Sequence, residues 1–183
     1  MEFKNRNPKL FLIAGKARQG KDTVAKMILD YYTSQGKDCI NLQISHYIKE
    51  YVKRISDWDG QDETKPRALL QQLGTDLVRH EIDNELFIRR TLEDIRVFSY
   101  FKDVITLSDI RFDLEAQRLN EAFPDAYFIK VERPCEQNDL GIYAMHATEQ
   151  GLHDQSYYDQ IILNDGSLEE LRAKVETMLE GVK

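Results

Sequence analysis

The segment GKARQGKDT at residues 15–23 has the residue types and the spacing of a phosphate-binding turn. It follows the pattern G-x-x-x-x-G-K, except that the hydroxyl residue comes two places after the lysine instead of one. Glycines at both ends let the main chain curl so that successive N–H groups point inward, and the start of a following helix adds more free N–H groups. We therefore expect a polyphosphate site at the residues that form this turn: Gly15, Ala17, Arg18, Gln19, Gly20, Lys21, Asp22 and Thr23.

Charge and metal chemistry are expected at the end of this turn. The Lys21 ammonium would reach the outer phosphates of a bound polyphosphate, and Asp22 or Thr23 would lie near a magnesium ion. Asp22 stands where the pattern has serine or threonine. Because magnesium is held by oxygen ligands and commonly keeps several waters, the sequence leaves open whether these contacts are direct or pass through water.

A second candidate follows the apolar run at residues 104–107, which predicts a strand that ends at Asp109. Such a strand would bring Asp109 to the same sheet edge as the turn, where an acidic residue is the usual metal-binding partner of a phosphate loop. Arg111 would face the same crevice and neutralise a phosphate in transfer. The alternative is that Asp109 caps a helix and that Arg111 lies on the surface.

A helix beginning near Pro66 presents a polar face beside an apolar stripe. The stripe consists of leucines at helical spacing: Leu69, Leu70, Leu73 and Leu77. On the remaining surface, arginines, amides and a hydroxyl recur three or four residues apart: Arg67, Gln71, Gln72, Thr75 and Arg79. Because arginines bind phosphate and amides bind a base or a sugar, this face predicts an acceptor site, with a solvated helix surface as the alternative.

Short apolar runs alternate with amphipathic stretches along the whole chain. Strands are predicted at residues 10–14, 39–43, 104–107, 126–131 and 160–163. Helices are predicted at residues 20–35, 45–55, from 66 onward, 85–100, 114–122 and from 167 to just before 181, with a long irregular stretch before residue 158. This order predicts an α/β fold with three layers, in which helices cover both faces of a parallel sheet of about five strands. Ligands bind such sheets at the carboxyl ends of the strands.

Length and composition exclude several classes of protein. The 183 residues fit a single domain, and a net charge of −7 is opposite in sign to that of most duplex-DNA binders. No apolar run approaches the roughly 18 residues that a membrane span needs, and the N-terminal residues do not form a secretory signal. Cys39 and Cys135 belong to no CxxC or Cys/His cluster. We expect a cytoplasmic protein that binds neither nucleic acid polymers nor membranes.

Several segments resemble one protein family. GKARQGKDT resembles the phosphate loop of P-loop nucleoside monophosphate kinases, and most of all that of the phage-type deoxynucleoside monophosphate kinases and their bacterial relatives. PRALLQQLGTDLVR and SDIRFDLEAQRL resemble two further segments of that family. HATE at residues 146–149, Asp159 and NDGSLEEL at residues 164–171 resemble its C-terminal part. The resemblance extends over about residues 9–175.

The resemblance implies a P-loop kinase fold, ATP with Mg²⁺ as cofactors and a small nucleotide as partner. The reaction would be ATP-dependent phosphoryl transfer to a phosphorylated acceptor, most simply a (deoxy)nucleoside monophosphate. In this family-based assignment, Lys21 binds the donor phosphates, Arg67 and Arg79 bind the acceptor, and Arg111 serves the phosphoryl group in transfer.

The resemblance also assigns roles to two regions of the chain. An acceptor-binding helical region would cover about residues 45–101, and a short lid-like segment would cover about residues 133–150. The lid would contribute Arg133 as its strong cation. Asp113 and Leu114 depart from the proline and asparagine that the family often has at these positions.

The acceptor determines what catalysis requires. The oxygen of a monophosphate is already deprotonated at neutral pH, so charge compensation by Lys21, Arg111, Arg133 and magnesium is enough. A hydroxyl acceptor, as in dephospho-coenzyme A kinase, would need a base, for which Asp22 or Asp109 is available. Phosphomevalonate kinases, which carry a similar loop, offer another small-molecule acceptor. A nucleotide-binding regulator or slow hydrolase is the remaining alternative, and the sequence leaves the oligomeric state open.

Overall fold

The computed structural model describes residues 3–134, 152 and 156–182. In this part of the chain, five strands form one parallel sheet: β1 (Lys9–Ala14), β2 (Cys39–Leu42), β3 (Val104–Ile110), β4 (Tyr127–Glu132) and β5 (Gln160–Leu163). Their spatial order is β2-β3-β1-β4-β5. The predicted α/β class and parallel five-stranded sheet are therefore confirmed.

Helical segments connect these strands along the chain. They are α1 (Lys21–Ser34), α2 (His46–Ile55), α3 (Arg67–Gln71), a π-helical segment (Gln72–Ile82), α4 (Leu86–Phe98), α5 (Asp113–Ala122) and α6 (Leu168–Gly181). A capping box begins α6, because Ser167 Oγ accepts from Glu170 N and Glu170 Oε2 accepts from Ser167 N. The helix includes Gly181 instead of ending before it. None of the described helices is long and apolar enough to cross a membrane.

Strand β1 shows why helices cover both faces of the sheet. Leu10, Leu12 and Ala14 are buried in one core cluster together with side chains of α2, the π-helical segment, α4 and α5. Phe11 and Ile13, which alternate with them, are buried in a second cluster together with α1 and α6. Because both sets of side chains are apolar, the strand is stable only between two helical layers.

The strand order places a crevice directly after β1. Strand β1 lies at the centre of the sheet between β3 and β4, and the chain that leaves it returns to β2 beyond β3. The strands that follow in sequence are added on both sides of β1, so the loops at their carboxyl ends diverge there. Such switch points are where open α/β sheets bind ligands.

Strand β3 is longer than expected and contains a bulge. It runs through Ile110 instead of ending at Asp109. Leu12 and Ala14 of β1 pair with Leu107 and Ile110, so three residue steps on β3 match two steps on β1. The extra residue brings Ile110 into the same core cluster as Leu107 and leaves Asp109 at the sheet edge.

The π-helical segment changes which residues of the predicted leucine stripe are buried. Leu77 is 46% exposed, whereas Gly74, Thr75 and Val78 are buried. The main chain here closes hydrogen bonds over five residues, as between Asp83 N and Val78 O at 2.7 Å. This longer turn shifts the buried face relative to the α-helical spacing from which the stripe was predicted. Leu77 of the predicted stripe therefore lies outside the buried face of this segment.

Candidate functional site

The phosphate-binding turn predicted from the sequence lies between β1 and α1. Gly15 and Gly20 have φ angles of 148° and 97°, a region of the main-chain map that favours glycine. A Cβ atom on Gly15 would lie 2.5 Å from the carbonyl oxygen of Val131, and one on Gly20 would lie 2.6 Å from Asn164 Nδ2. Conformation favours glycine at both positions, and the main-chain oxygen of Val131 also leaves no room for a Cβ atom at Gly15.

Side chains fix the shape of the turn from inside and outside. Gln19 Oε1 accepts a hydrogen bond from Lys16 N at 2.6 Å, which holds the middle of the turn closed. Asn164, just after β5, donates from Nδ2 to the carbonyl oxygen of Gln19 at 3.0 Å. Sequence reasoning missed the contact of Asn164 because it joins residues 145 positions apart.

Lys21 begins α1 and is 6% exposed. Its ammonium donates to the carbonyl oxygen of Lys16 at 2.6 Å, so the side chain extends back along the turn. An ammonium held in this position places positive charge inside the turn. The arrangement suits the outer phosphates of a nucleotide.

Asp22 joins the turn to the ends of two neighbouring strands. Its Oδ1 accepts from Ser108 Oγ at 2.8 Å and from Gln43 Nε2 at 3.3 Å. Ser108 Oγ in turn accepts from Asn41 Nδ2 at 3.1 Å. Sequence reasoning did not single out Ser108 or Gln43, since their roles depend on the order of the strands.

Asp109 reaches the sheet edge, as predicted, but it makes contacts that the sequence did not suggest. Its two carboxylate oxygens accept from the main-chain N–H groups of Ile44 and Ser45, at 2.7 and 2.9 Å. These bonds hold the connection between β2 and α2 against β3. The carboxylate thereby positions the start of α2, and a role in metal binding stays a prediction.

A cleft of about 990 Å³ opens in front of the turn. From the turn, it is lined by Ala17, Arg18, Gly20, Lys21, Asp22 and Thr23. From the other predicted positions, it is lined by Arg67, Gln71, Thr75, Arg79, Asp109, Arg111 and Arg133. The structure thus brings the donor-side and acceptor-side candidates together around a single cavity.

Three predicted residues do not line this cleft. Gly15 and Gln19 shape the turn from behind, through the contacts described above. Gln72 begins the π-helical segment and is exposed. Its predicted position on the acceptor-binding face assumed that a regular α-helix continues through residue 79. The helix changes from α to π at Gln72, so that spacing does not apply.

The buried carboxylate of Glu115 forms an ion pair with the partly buried Arg79 at the wall of the cleft. Arg79 Nη2 lies 2.8 Å from Glu115 Oε1, and Arg79 Nη1 donates to the carbonyl oxygen of Gly74 at 3.0 Å. Glu115 Oε2 accepts from the N–H groups of Arg111 and Phe112. Burial raises the pKa of Glu115 above its ordinary value, although the Arg79 guanidinium and the Arg111 N–H oppose this. One carboxylate therefore holds both the predicted acceptor arginine and the loop that carries Arg111.

Arg133 follows β4 and is exposed at the rim of the cleft. Of the predicted lid-like segment, only residues 133 and 134 are among the described residues. The irregular stretch and the segment at residues 146–149 fall outside them, apart from residue 152 and the residues from 156 onward.

A sequence model of the deoxynucleotide monophosphate kinases matches residues 29–175, which is well over half of the 183 residues. The chain belongs to the deoxynucleotide monophosphate kinase family. The resemblance seen in the sequence segments is therefore confirmed over most of the chain.

Two viral relatives give the extent of this similarity. The deoxynucleotide monophosphate kinase of Enterobacteria phage T4 is 30% identical over 151 residues, which cover 81% of this chain and 57% of the phage protein. A relative from Acanthamoeba polyphaga mimivirus is 28% identical over 119 residues, which cover 60% of this chain and 58% of the relative. The chain thus spans a little over half the length of these relatives.

Solved structures share the fold at low sequence identity. The Mycobacterium tuberculosis APS kinase in complex with AMPPNP and APS has a TM-score of 0.57 and 14% identity, covering 94% of this chain and 98% of that chain. A sugar kinase from Janibacter sp. has a TM-score of 0.56 and 16% identity, covering 94% of this chain and 95% of that chain. These likenesses confirm the predicted P-loop kinase fold.

Proposed function

We propose that the protein transfers the terminal phosphoryl group of ATP to a deoxynucleoside monophosphate. The observation that carries the proposal is the shared cleft, in which a phosphate-binding turn faces a helical surface bearing Arg67, Gln71 and Thr75. Membership of the deoxynucleotide monophosphate kinase family and the similarity to the phage T4 enzyme support this acceptor class.

The donor nucleotide is proposed to bind with its phosphates in the turn. Main-chain N–H groups at Gly20 and at the start of α1 would surround the phosphate oxygens, while the N–H of Lys16 is bonded to Gln19 Oε1. The Lys21 ammonium would sit over the outer phosphates. Because Gln19 and Asn164 already fix the turn, little conformational entropy would be lost when the donor binds.

The acceptor is proposed to bind on the opposite wall. Arg67 would provide charge for its phosphate, and Gln71 and Thr75 would provide hydrogen-bonding groups for its base or sugar. Arg79 already pairs with Glu115, so its remaining N–H groups would bind the acceptor from a fixed position. Thr75 is only 5% exposed, so a ligand that contacts it would lie deep in the cleft.

Phosphoryl transfer between these sites would need no strong general base. An oxygen of the acceptor phosphate would attack the terminal phosphorus of ATP, and the bond to the bridging oxygen would break so that ADP leaves with the electron pair. Lys21, Arg111 and Arg133 would offset the negative charge that two anions bring together. The chain's contribution would be alignment and charge compensation.

The oxygen donors beside the turn fit a magnesium ion. Asp22 offers a carboxylate, and Thr23 lines the same part of the cleft, which agrees with a hard cation that takes one or two protein oxygens and keeps its waters. No three His, Cys, Asp or Glu side chains gather as a metal site among residues 3–134, 152 and 156–182. A bound magnesium ion would neutralise the donor phosphates. We propose that Asp22 and Thr23 hold it, with Asp109 nearby.

Changing Asp22 to asparagine is expected to weaken magnesium-dependent nucleotide binding. The variant keeps an oxygen that can accept from Ser108 but removes the negative charge. We expect the magnesium concentration that gives half of the maximal AMPPNP binding to rise about tenfold or more. Calorimetric titration over a series of magnesium concentrations would measure this. Asp30→Asn on the exposed side of α1 is the matched control, and equal titrations for the two variants would contradict a metal role for Asp22.

The proposed activity is tested by measuring ADP release from ATP with a panel of acceptors. The panel contains dAMP, dCMP, dGMP and dTMP, together with dephospho-coenzyme A, phosphomevalonate and a sample with no acceptor. We expect ADP release to require a deoxynucleoside monophosphate. An equal rate without acceptor would indicate a slow hydrolase, and turnover only with one of the other two compounds would indicate a different small-molecule kinase.

A further inference from the structure

Lys49 occupies the junction between the two walls of the cleft. It lies on α2, next to Ile48, whose side chain packs against Gly74 so closely that a Cβ atom there would lie 2.9 Å from Ile48 Cδ1. Gly74 precedes Thr75 on the wall proposed for the acceptor. Lys49 lines the cleft beside this contact. Its position is therefore fixed by packing between α2 and the π-helical segment.

A single amide connects Lys49 to the donor side of the cleft. Lys49 Nζ donates to Gln43 Oε1 at 2.6 Å, and Gln43 Nε2 donates to Asp22 Oδ1 at 3.3 Å. Asp22 is the residue directly after Lys21. The side chain of Gln43 thus bridges the Lys49 ammonium and Asp22, at the end of the phosphate-binding turn.

The charge of Lys49 lacks a close counterion within the part of the chain that the structure describes. Arg79 pairs with Glu115, and Lys65 with Asp62, whereas no carboxylate of residues 3–134, 152 or 156–182 lies within 4.0 Å of Lys49 Nζ. Burial lowers the pKa of Lys49 and Lys65 adds to this effect, while Asp109, Asp22 and Asp62 oppose it without contacting the ammonium. A partly buried ammonium that no carboxylate of the described residues contacts directly would be stabilised by an anion that binds to it.

We propose that the Lys49 ammonium binds the phosphate of the acceptor nucleotide, on the side that faces the phosphate-binding turn. This inference rests on the proposed function and adds a residue to its acceptor site. Lys49 and Arg67 would hold the acceptor phosphate from two elements, α2 and α3. Because the attacking oxygen belongs to that phosphate, Lys49 would also align it with the donor.

The experiment compares Lys49→Met with Lys53→Met in steady-state assays with the four deoxynucleoside monophosphates. Lys53 is one turn further along α2, is exposed and pairs with Glu50, so it controls for the loss of a lysine from this helix. We expect Lys49→Met to raise the KM of the monophosphate about tenfold to a hundredfold, with less than a twofold change in the KM of ATP. Lys49→Arg should restore part of the affinity. Lys53→Met should match the unchanged protein.

Each result decides for or against the proposal. If both variants are active and have the same KM for the monophosphate, the proposal for Lys49 is overturned while the proposed function stands. The proposal is also overturned if Lys49→Met raises the KM of ATP as much as the KM of the monophosphate. If the unchanged protein shows no monophosphate-dependent turnover, the proposed function fails.

In that case, the role of Lys49 is tested by the rise in melting temperature that inorganic phosphate causes in each variant. A stabilisation lost only in Lys49→Met supports an anion site, and one that both variants retain overturns it. Melting curves without ligand establish that every variant is folded.

Discussion

Changing Lys21 to methionine is expected to reduce kcat/KM for ATP-dependent phosphoryl transfer by about a thousandfold or more. The ammonium lies within the phosphate-binding turn. Main-chain N–H groups alone would neutralise only part of the negative charge of the donor phosphates, so the ammonium is needed to offset the rest. Methionine preserves most of the length of the side chain and removes its charge. The loss should appear mainly in transfer, since a charge over the outer phosphates matters most as the phosphoryl group moves.

The control for this experiment is Lys26→Met, a change to an exposed lysine on the same helix. Its rate should stay within a factor of two of that of the unchanged protein. Melting temperatures of both variants would separate a local loss of charge from a general loss of folding. Transfer that persists at a normal rate in Lys21→Met would contradict the assignment of the turn as the donor site.

Changing Glu115 to alanine is expected to lower the free energy of unfolding by about 3–5 kcal/mol. The change leaves the partly buried Arg79 guanidinium without its carboxylate, and the partly buried N–H groups of Arg111 and Phe112 lose their acceptor. Urea unfolding should show a lower midpoint with an unchanged slope. Glu121→Ala, at the exposed end of the same helix, should leave the curve almost unchanged.

A double substitution separates the ion pair from simple loss of packing. Arg79→Met together with Glu115→Leu removes both charges and keeps apolar volume at both positions. Because the cost of Glu115→Ala arises largely from an uncompensated, partly buried charge, the double variant should be more stable than that single variant. A double variant that is less stable than Glu115→Ala would mean that Glu115 acts mainly through the N–H groups of Arg111 and Phe112.

The phosphate-binding turn could be predicted because its determinants are local. Two glycines with positive φ angles, a lysine at the first helical position and an apolar strand before them all lie within 15 residues. The sheet could be predicted for a similar reason. The central strand β1 has apolar residues facing both ways, as Leu12 and Ile13 show, and this pattern requires two helical layers.

The contacts that arrange the site depend on tertiary structure and could not be predicted. Ser108 reaches Asp22 because β3 lies beside β1, and Asp109 binds the start of α2 because a bulge leaves it at the sheet edge. The exposure of Gln72 and Leu77 follows from a π-helical segment, for which the sequence has no reliable signal. Propensity and spacing describe neighbours along the chain, whereas these features depend on neighbours in space.

The hydrogen bond from Asn164 to Gln19 has a consequence for biosynthesis. The motif that makes the turn recognisable is complete within the first 23 residues, but the residue that holds it from outside is translated more than 140 residues later. A nascent chain would thus leave the ribosome with the turn only partly organised, and its final geometry would be set late, when β5 joins the sheet.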